Sequence, residues 1–450
     1  MSTLADRIRG IVRTPGAPGA SDDAPPDPAN PRDLSDLSDA LGGEWSQTNG
    51  RACYVVERRW AAGARHGREA IGALAERLDR ASSDAALFTS GAPAAPPFVF
   101  FDLETTGLSG GAGTLAFLVG CGWFESDGSF LTRQFLMTQY ADERAVLERV
   151  AAEFSRAGAL VSFNGKSFDT PLLETRFVFH RLPWVGAVLP HVDVLHPARR
   201  FWKRDGGRLF AGRGSAAAYA TPIPRTGFSD ASSCSLQTLE RQLLGLRRIG
   251  DVSGFEIPAR YFQFVRSGDA RPLAAIVEHN RLDLLTLAAL TARLLHMVRT
   301  GPADMRDARE VLALGVVYQR SGLEERARTA FRLAIERCRS PRGAFDPLRI
   351  EALRQLALSW RRARMHEEAA ACWTELLATR GCPAPIEREA TAALAIHNEH
   401  RRRDFVAARA FALRGLDSTP PPAWSEAVRH RLARIERKLD AAGAQLAFVD

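Results

Sequence analysis

The sequence predicts an α/β domain on a mixed five-stranded sheet with flanking helices, followed by an all-α domain. Three observations predict it. Apolar runs of strand length recur between residues 98 and 195, the first three joined by short turns and the later ones separated by amphipathic segments. Short turns require antiparallel neighbours and helical crossovers allow parallel ones, so the sheet is mixed. After about residue 300 the strand-like runs stop and only helical periodicity remains. At roughly 100–200 residues per domain, a chain of this length holds two to four domains.

The elements follow in order. Residues 1–45 read as a disordered tail, because 15–33 are rich in Pro, Gly, Ala and Asp and cannot bury a core. Residues 46–97 form an extension and linker, with a strand at 52–60, a short helix at 67–82 and a Pro-rich link at 90–97. The α/β domain spans 98–300. Its strands are 98–103, 114–124, 130–139, 159–163 and 190–195, and its helices are 142–156, 171–180, 235–244, 259–266 and 272–296. Ser235 is placed to cap the helix that follows it. Residues 205–233 lack periodicity and read as a flexible surface insertion or a mobile flap.

Residues 301–450 read as helices only. Leu314, Gly315, Tyr318, Gly322, Ala327, Phe331 and Ala334 have the spacing of a tetratricopeptide repeat, in which small residues let paired helices approach and aromatics fill the gap. A second copy is Leu356, Ala357, Trp360, Ala369 and Trp373. A third is Leu394, Ala395, Asn398, Ala407 and Phe411. The copies are 42 and 38 residues apart, rather than about 34, with the surplus in loops 340–349 and 379–387. Residues 424–439 would cap the stack. An unrelated helical bundle is the alternative.

Composition excludes more than it identifies. The formal net charge is +8, and only Lys166, Lys203 and Lys438 of the 60 basic residues are lysine. An arginine bias of this kind also arises from a GC-rich genome, so the charge does not name a partner. Residues 301–450 hold 26 basic against 20 acidic residues, which is most of the excess. No apolar run approaches a membrane span, and the N-terminal residues lack the continuous apolar stretch of a secretory signal. The six cysteines are scattered without a CxxC pair, against a disulfide framework or zinc ribbon. The expectation is a cytoplasmic protein with free thiols and no membrane association.

Three blocks carry chemistry. The first is 101–107, FDLETTG. Asp102 and Glu104 lie at i and i+2 on a strand and point to one face. Like charges at the end of a buried strand are costly without a cation, and hard divalent ions prefer oxygen ligands. Two solvated acids at an exposed strand end are the alternative. The second is 161–169, VSFNGKSFD, just after the fourth strand; Asp169 alone would read as a helix N-cap, and Asn164 and Lys166 as turn residues. The third is 279–283, HNRLD, where His279 and Asp283 share a helix face, as an ordinary surface pair also would.

In this order and frame, the blocks resemble the three exonuclease motifs of the DEDD superfamily of 3′–5′ exonucleases, most similar to its bacterial YprB-like branch. The resemblance covers about 98–300. It implies a ribonuclease H-like fold, with tetratricopeptide repeats able to follow it. It implies that Asp102, Glu104, Asp169 and Asp283 hold two Mg²⁺ or Mn²⁺ ions, and that His279 orients or deprotonates the attacking water. Thr105 and Leu108 would contact the terminal nucleotide, and Asn164 and Lys166 its phosphates. One departure stands out. In the histidine branch the histidine lies five residues before the last aspartate, and in the tyrosine branch the tyrosine lies four before. Here a histidine stands at the tyrosine spacing, about 100° around the helix from the usual histidine position.

Other motifs fail. The glycines at 107–113 lack a following GK[ST], so they form no P-loop. No GxSxG occurs, and His191, Asp193 and His196 read as structural. The expected activity is a metal-dependent nuclease that releases 5′-monophosphates from DNA or RNA 3′ ends, with the repeats holding a protein partner or orienting the nucleic acid. A structure-specific endonuclease and a non-catalytic nucleic-acid-binding scaffold are the alternatives.

Overall fold

The main sheet is two strands wider than the sequence predicts. In the computed structural model, which describes residues 35–48, 50–89, 93–107, 113–203, 234–338, 340–341, 343–416 and 422–446, the strands are β1 (Glu44–Thr48), β2 (Arg51–Trp60), β3 (Arg65–His66), β4 (Glu69–Ala70), β5 (Phe98–Thr105), β6 (Ala116–Phe124), β7 (Phe130–Leu136), β8 (Ala159–Ser162) and β9 (His191–Asp193). The seven-stranded sheet has the order β1-β2-β7-β6-β5-β8-β9, and β3 and β4 form a separate hairpin. The correction comes from the N-terminal extension. The strand expected at 52–60 does form, and it joins the main sheet by pairing antiparallel with β7 from Tyr54–Leu136 to Trp60–Phe130. β1 then pairs with β2. Within the segment expected as a tail, residues 35–41 form helix α1 (Ser35–Leu41), which buries Leu37 and Leu41.

Strand polarity follows connection length. β5, β6 and β7 are antiparallel neighbours, while β8 and β9 run parallel to β5 after helical crossovers. The helices around the sheet are α2 (Ile71–Arg80), α3 (Glu143–Phe154), α4 (Asp169–Phe179), α5 (Leu195–Trp202), α6 (Leu236–Leu239), α7 (Ile257–Ser267) and α8 (Arg271–Thr300). Ser235 does cap α6, its hydroxyl accepting the Thr238 N–H. α6 runs on as a π-helical turn, Glu240–Leu244, and stops at Gly245, whose φ of 68° is the left-handed conformation glycine adopts without a Cβ clash.

The interior strand β5 separates two apolar layers. Phe98 and Phe100 join one core with α2, the middle and end of α8 and the helices beyond residue 300. Val99, Phe101 and Leu103 join the other, with α3, α4, α7 and the start of α8. Each fully buried Phe or Leu stabilises the fold by about 1.5–3 kcal/mol. The period-2 alternation of the strand therefore puts Asp102 and Glu104 on the same face as Phe98 and Phe100.

Beyond residue 300 the described elements are helical: α9 (Ala308–Arg320), α10 (Glu324–Arg337), α11 (Pro347–Arg362), α12 (His366–Leu377), α13 (Ala384–His397), α14 (Phe405–Arg414) and α15 (Pro422–Leu446). Each packs on the next along the chain. Gly315 shows why they approach closely: a Cβ there would lie 2.5 Å from the Phe331 ring on the neighbouring helix. α9 also packs on α8, and the Tyr318 hydroxyl donates to the Val298 carbonyl at 2.8 Å. The insertion at 205–233, with its flap reading, lies outside the described residues. No described helix is long and apolar enough to cross a membrane.

Candidate functional site

Three elements converge beside the end of β5. β5 brings Asp102 and Glu104, the start of α4 brings Asp169, and the first half of α8 brings His279, Asn280 and Asp283. A glycine permits the closest approach. Asp102 lies opposite Gly120 on β6, and a Cβ at Gly120 would fall 2.1 Å from Asn280 Oδ1. With no side chain there, α8 descends onto the sheet. Asn280, fully buried, then donates to Asp102 Oδ2 at 2.9 Å and accepts from Gln134 on β7 at 2.9 Å.

Asp169 is the first residue of α4 rather than its N-cap, which is Phe168. The turn before it is built around Asp193. That buried carboxylate accepts the backbone N–H groups of Asn164 at 2.8 Å, Lys166 at 3.2 Å and Leu195 at 3.1 Å. Asn164 has a φ of 72°, a left-handed conformation that asparagine tolerates better than most residues. The Asn164 and Lys166 side chains are exposed on this turn. The Lys166 charge is felt at His191, whose imidazole is pushed down to about 4, first by burial and then by that ammonium. The Thr105 hydroxyl donates to the Gly107 carbonyl at 2.8 Å. Leu108 lies outside the described residues.

Asp283 and Asp169 act on the two acids of β5. Burial pushes Asp102 well above the usual carboxylate range, and Asp283, Glu104 and Asp169 push it further. Glu104 is raised in the same way by burial, then by Asp283, Asp169 and Asp251. Asp169 is raised to about 7 by burial and by Asp193. Asp283 is raised by burial, against the opposing pull of Arg248 and His279. Close carboxylates with raised pKa values and oxygen-only chemistry are the donor set that hard divalent cations take. The donors fit such an ion, but they are not preset as a closed cage: among the described residues no group of three or more His, Cys, Asp or Glu stands ready to hold a metal.

Arg248 and Asp251 come from the loop between α6 and α7, and the sequence reading assigned neither a role. His279 lies between two acids, with Nδ1 2.7 Å from Asp251 Oδ1 and Nε2 3.5 Å from Asp283 Oδ2. Arg248 holds Asp283 Oδ1 at 2.5 Å and Glu240 Oε2 at 2.6 Å. Glu240 in turn accepts from Thr286 at 2.7 Å, and the Thr286 hydroxyl meets His66 Nε2 at 2.9 Å. The only sequence signal was an Arg and an Asp three residues apart in a loop without periodicity, which does not say where that loop folds.

Comparison with known proteins agrees with this frame. The chain is 28% identical over 346 residues to "Uncharacterized protein YprB" of Bacillus subtilis (strain 168), covering 75% of this chain and 74% of that protein. Residues 99–295, which run from the second residue of β5 through β9 and include every residue of the carboxylate cluster, match the family profile described as RNase_H superfamily, and this likeness supports an RNase H-like fold and chemistry on nucleic acids.

Proposed function

We propose that this protein is a metal-dependent nuclease of the DEDD type, removing nucleotides from DNA or RNA 3′ ends as 5′-monophosphates. The observation that carries the reading is that Asp283 on α8 and Asp169 on α4 both raise the pKa of Asp102 and Glu104 on β5. A surface that only bound nucleic acid would gain nothing by concentrating negative charge against phosphate. Asp102, Glu104, Asp169 and Asp283 would hold two Mg²⁺ or Mn²⁺ ions. Such ions activate water and neutralise the charge of the reacting phosphodiester. His279 would act as the base. A proton on Nδ1 shared with Asp251 leaves Nε2 as the basic nitrogen, on the Asp283 side. Asp193 shapes the turn that carries Asn164 and Lys166, which are exposed where a phosphate would approach. The helices beyond residue 300 are read as tetratricopeptide-like hairpins that receive a protein partner.

The test is purified protein with Mn²⁺ or Mg²⁺ and end-labelled single- and double-stranded DNA and RNA. Mononucleotide release that falls about a thousandfold or more in Asp102→Ala/Glu104→Ala supports the assignment; cleavage that persists in that variant rejects it. A circular substrate separates the endonuclease reading, since an exonuclease leaves it intact. The ion pair of Arg248 with Asp283 favours the remaining alternative, a non-catalytic scaffold. Nucleic-acid binding without turnover under either metal would select it.

A further inference from the structure

The four acids of the cluster are not equally free. Among the described residues, the carboxylates of Glu104 and Asp169 receive no hydrogen bond, and they are shifted by burial and by other charges. Asp102 receives one side-chain hydrogen bond, from Asn280 on Oδ2. Asp283 differs. Its Oδ1 is taken by the Arg248 guanidinium at 2.5 Å, and its Oδ2 faces His279 Nε2 at 3.5 Å. Both oxygens are already directed at protein cations or donors.

Arg248 is also anchored from behind. Its side chain is 6% exposed. Its Nε lies 3.0 Å from Glu240 Oε2, one terminal nitrogen lies 2.6 Å from the same oxygen, and the other lies 3.4 Å from Asp251 Oδ2. Glu240 is itself fixed by Thr286. The same terminal nitrogen, Nη2, meets both Glu240 and Asp283, and its two N–H bonds serve one acid each. Nε and Nη2 therefore keep their hold on Glu240 when the Asp283 contact opens.

We propose, resting on the metal-binding reading above, that Arg248 is a resident cation that competes with a divalent ion for Asp283. Binding of a divalent ion through Asp283 then requires the Arg248–Asp283 contact to open, so Arg248 weakens the affinity of the cluster for the ion. Arg248 acts as a positioning residue through Asp283 and has no contact with substrate.

The experiment is a Mn²⁺ titration of the full chain, reading free Mn²⁺ by electron paramagnetic resonance, on the wild type, Arg248→Met, Arg248→Lys and Asp102→Asn. Arg248→Met should tighten Mn²⁺ binding by roughly tenfold or more, the order expected when one contacting unit charge is removed. Arg248→Lys, which keeps the charge, should stay near the wild type. Glu240→Gln/Arg248→Met removes the buried acid together with its partner and guards against misfolding; it should bind as Arg248→Met does. Wild-type binding that Asp102→Asn abolishes, with an isotherm unchanged in both Arg248→Met variants, overturns the inference and leaves the metal reading standing. A wild type that takes up no Mn²⁺ overturns the metal reading and the inference with it.

Discussion

Two regions of the molecule bury carboxylates and treat them in opposite ways. In the helical region, the Glu399 side chain is fully enclosed, and Arg434 reaches it at 2.6 Å and Lys438 at 2.8 Å. Arg431 and His400 stand at 3.6 and 3.4 Å. These partners overcome burial and hold Glu399 at about 2, the Arg434 hydrogen bond contributing most. At the end of β5 the chain supplies Asp102 with an amide and more carboxylates, and its pKa rises. The first carboxylate is complete within the fold. The second has its charge disfavoured by burial and by the acids around it. Burial alone does not mark a functional acid; burial without a counter-charge does.

The largest expected effect tests this contrast directly. Glu399→Gln leaves several cations facing one another and should destabilise the protein by about 3 kcal/mol. Asp102→Asn removes a repelled charge and should raise the melting temperature in the presence of a chelator. Urea or thermal melts of both variants measure the difference, and a shift of the same sign in both would erase the distinction. A smaller effect is expected at Gly120→Ala. The added methyl meets Asn280 Oδ1 and pushes α8 off the sheet, costing about 1–3 kcal/mol, with a loss of Mn²⁺ affinity in the same variant. Wild-type stability and affinity there would mean that α8 adjusts freely over β6.

A further test concerns pH. The Asp169 pKa is raised from 3.8 to about 7 in the fold. The folded state therefore holds this proton more tightly than the unfolded chain does. The stabilisation is fully present below about pH 4 and is lost as pH rises toward 7. Without metal, the wild type should lose stability across that interval more steeply than Asp169→Asn. Parallel melting curves between pH 4 and 8 would show that Asp169 is not the group responsible.

Much of this contrast was legible in the sequence on one side only. The apolar run before Asp102 and Glu104 marked a buried strand, and the i, i+2 spacing put both acids on one face. The spacing of His279 and Asp283 likewise survives on α8. Arg248 and Asp251 did not show, because loops carry no periodicity and their partners lie about thirty residues away in sequence. Asn280 was visible in the third block, but only Gly120 on a different strand explains why it reaches Asp102. The sheet was two strands short for a similar reason. β1 reads EWSQT, with one large apolar residue, and its place is set by pairing with β2. Helices beyond residue 300 were easier, since small residues such as Gly315 and aromatics such as Phe331 meet at short range.

The 30-residue α8 belongs to both halves of this comparison. Its first half carries His279 and Asp283, and its second half, through Leu294 and Val298, sits in a common core with Val311, Leu314 and Tyr318. From Leu294 back to His279 is about 23 Å along the helix axis, at 1.5 Å per residue. A rigid rod of that reach is a lever. A tilt of about 5° at the helical stack moves the imidazole by about 2 Å, enough to make or break a hydrogen bond. Whatever loads the stack therefore has a mechanical handle on the acids.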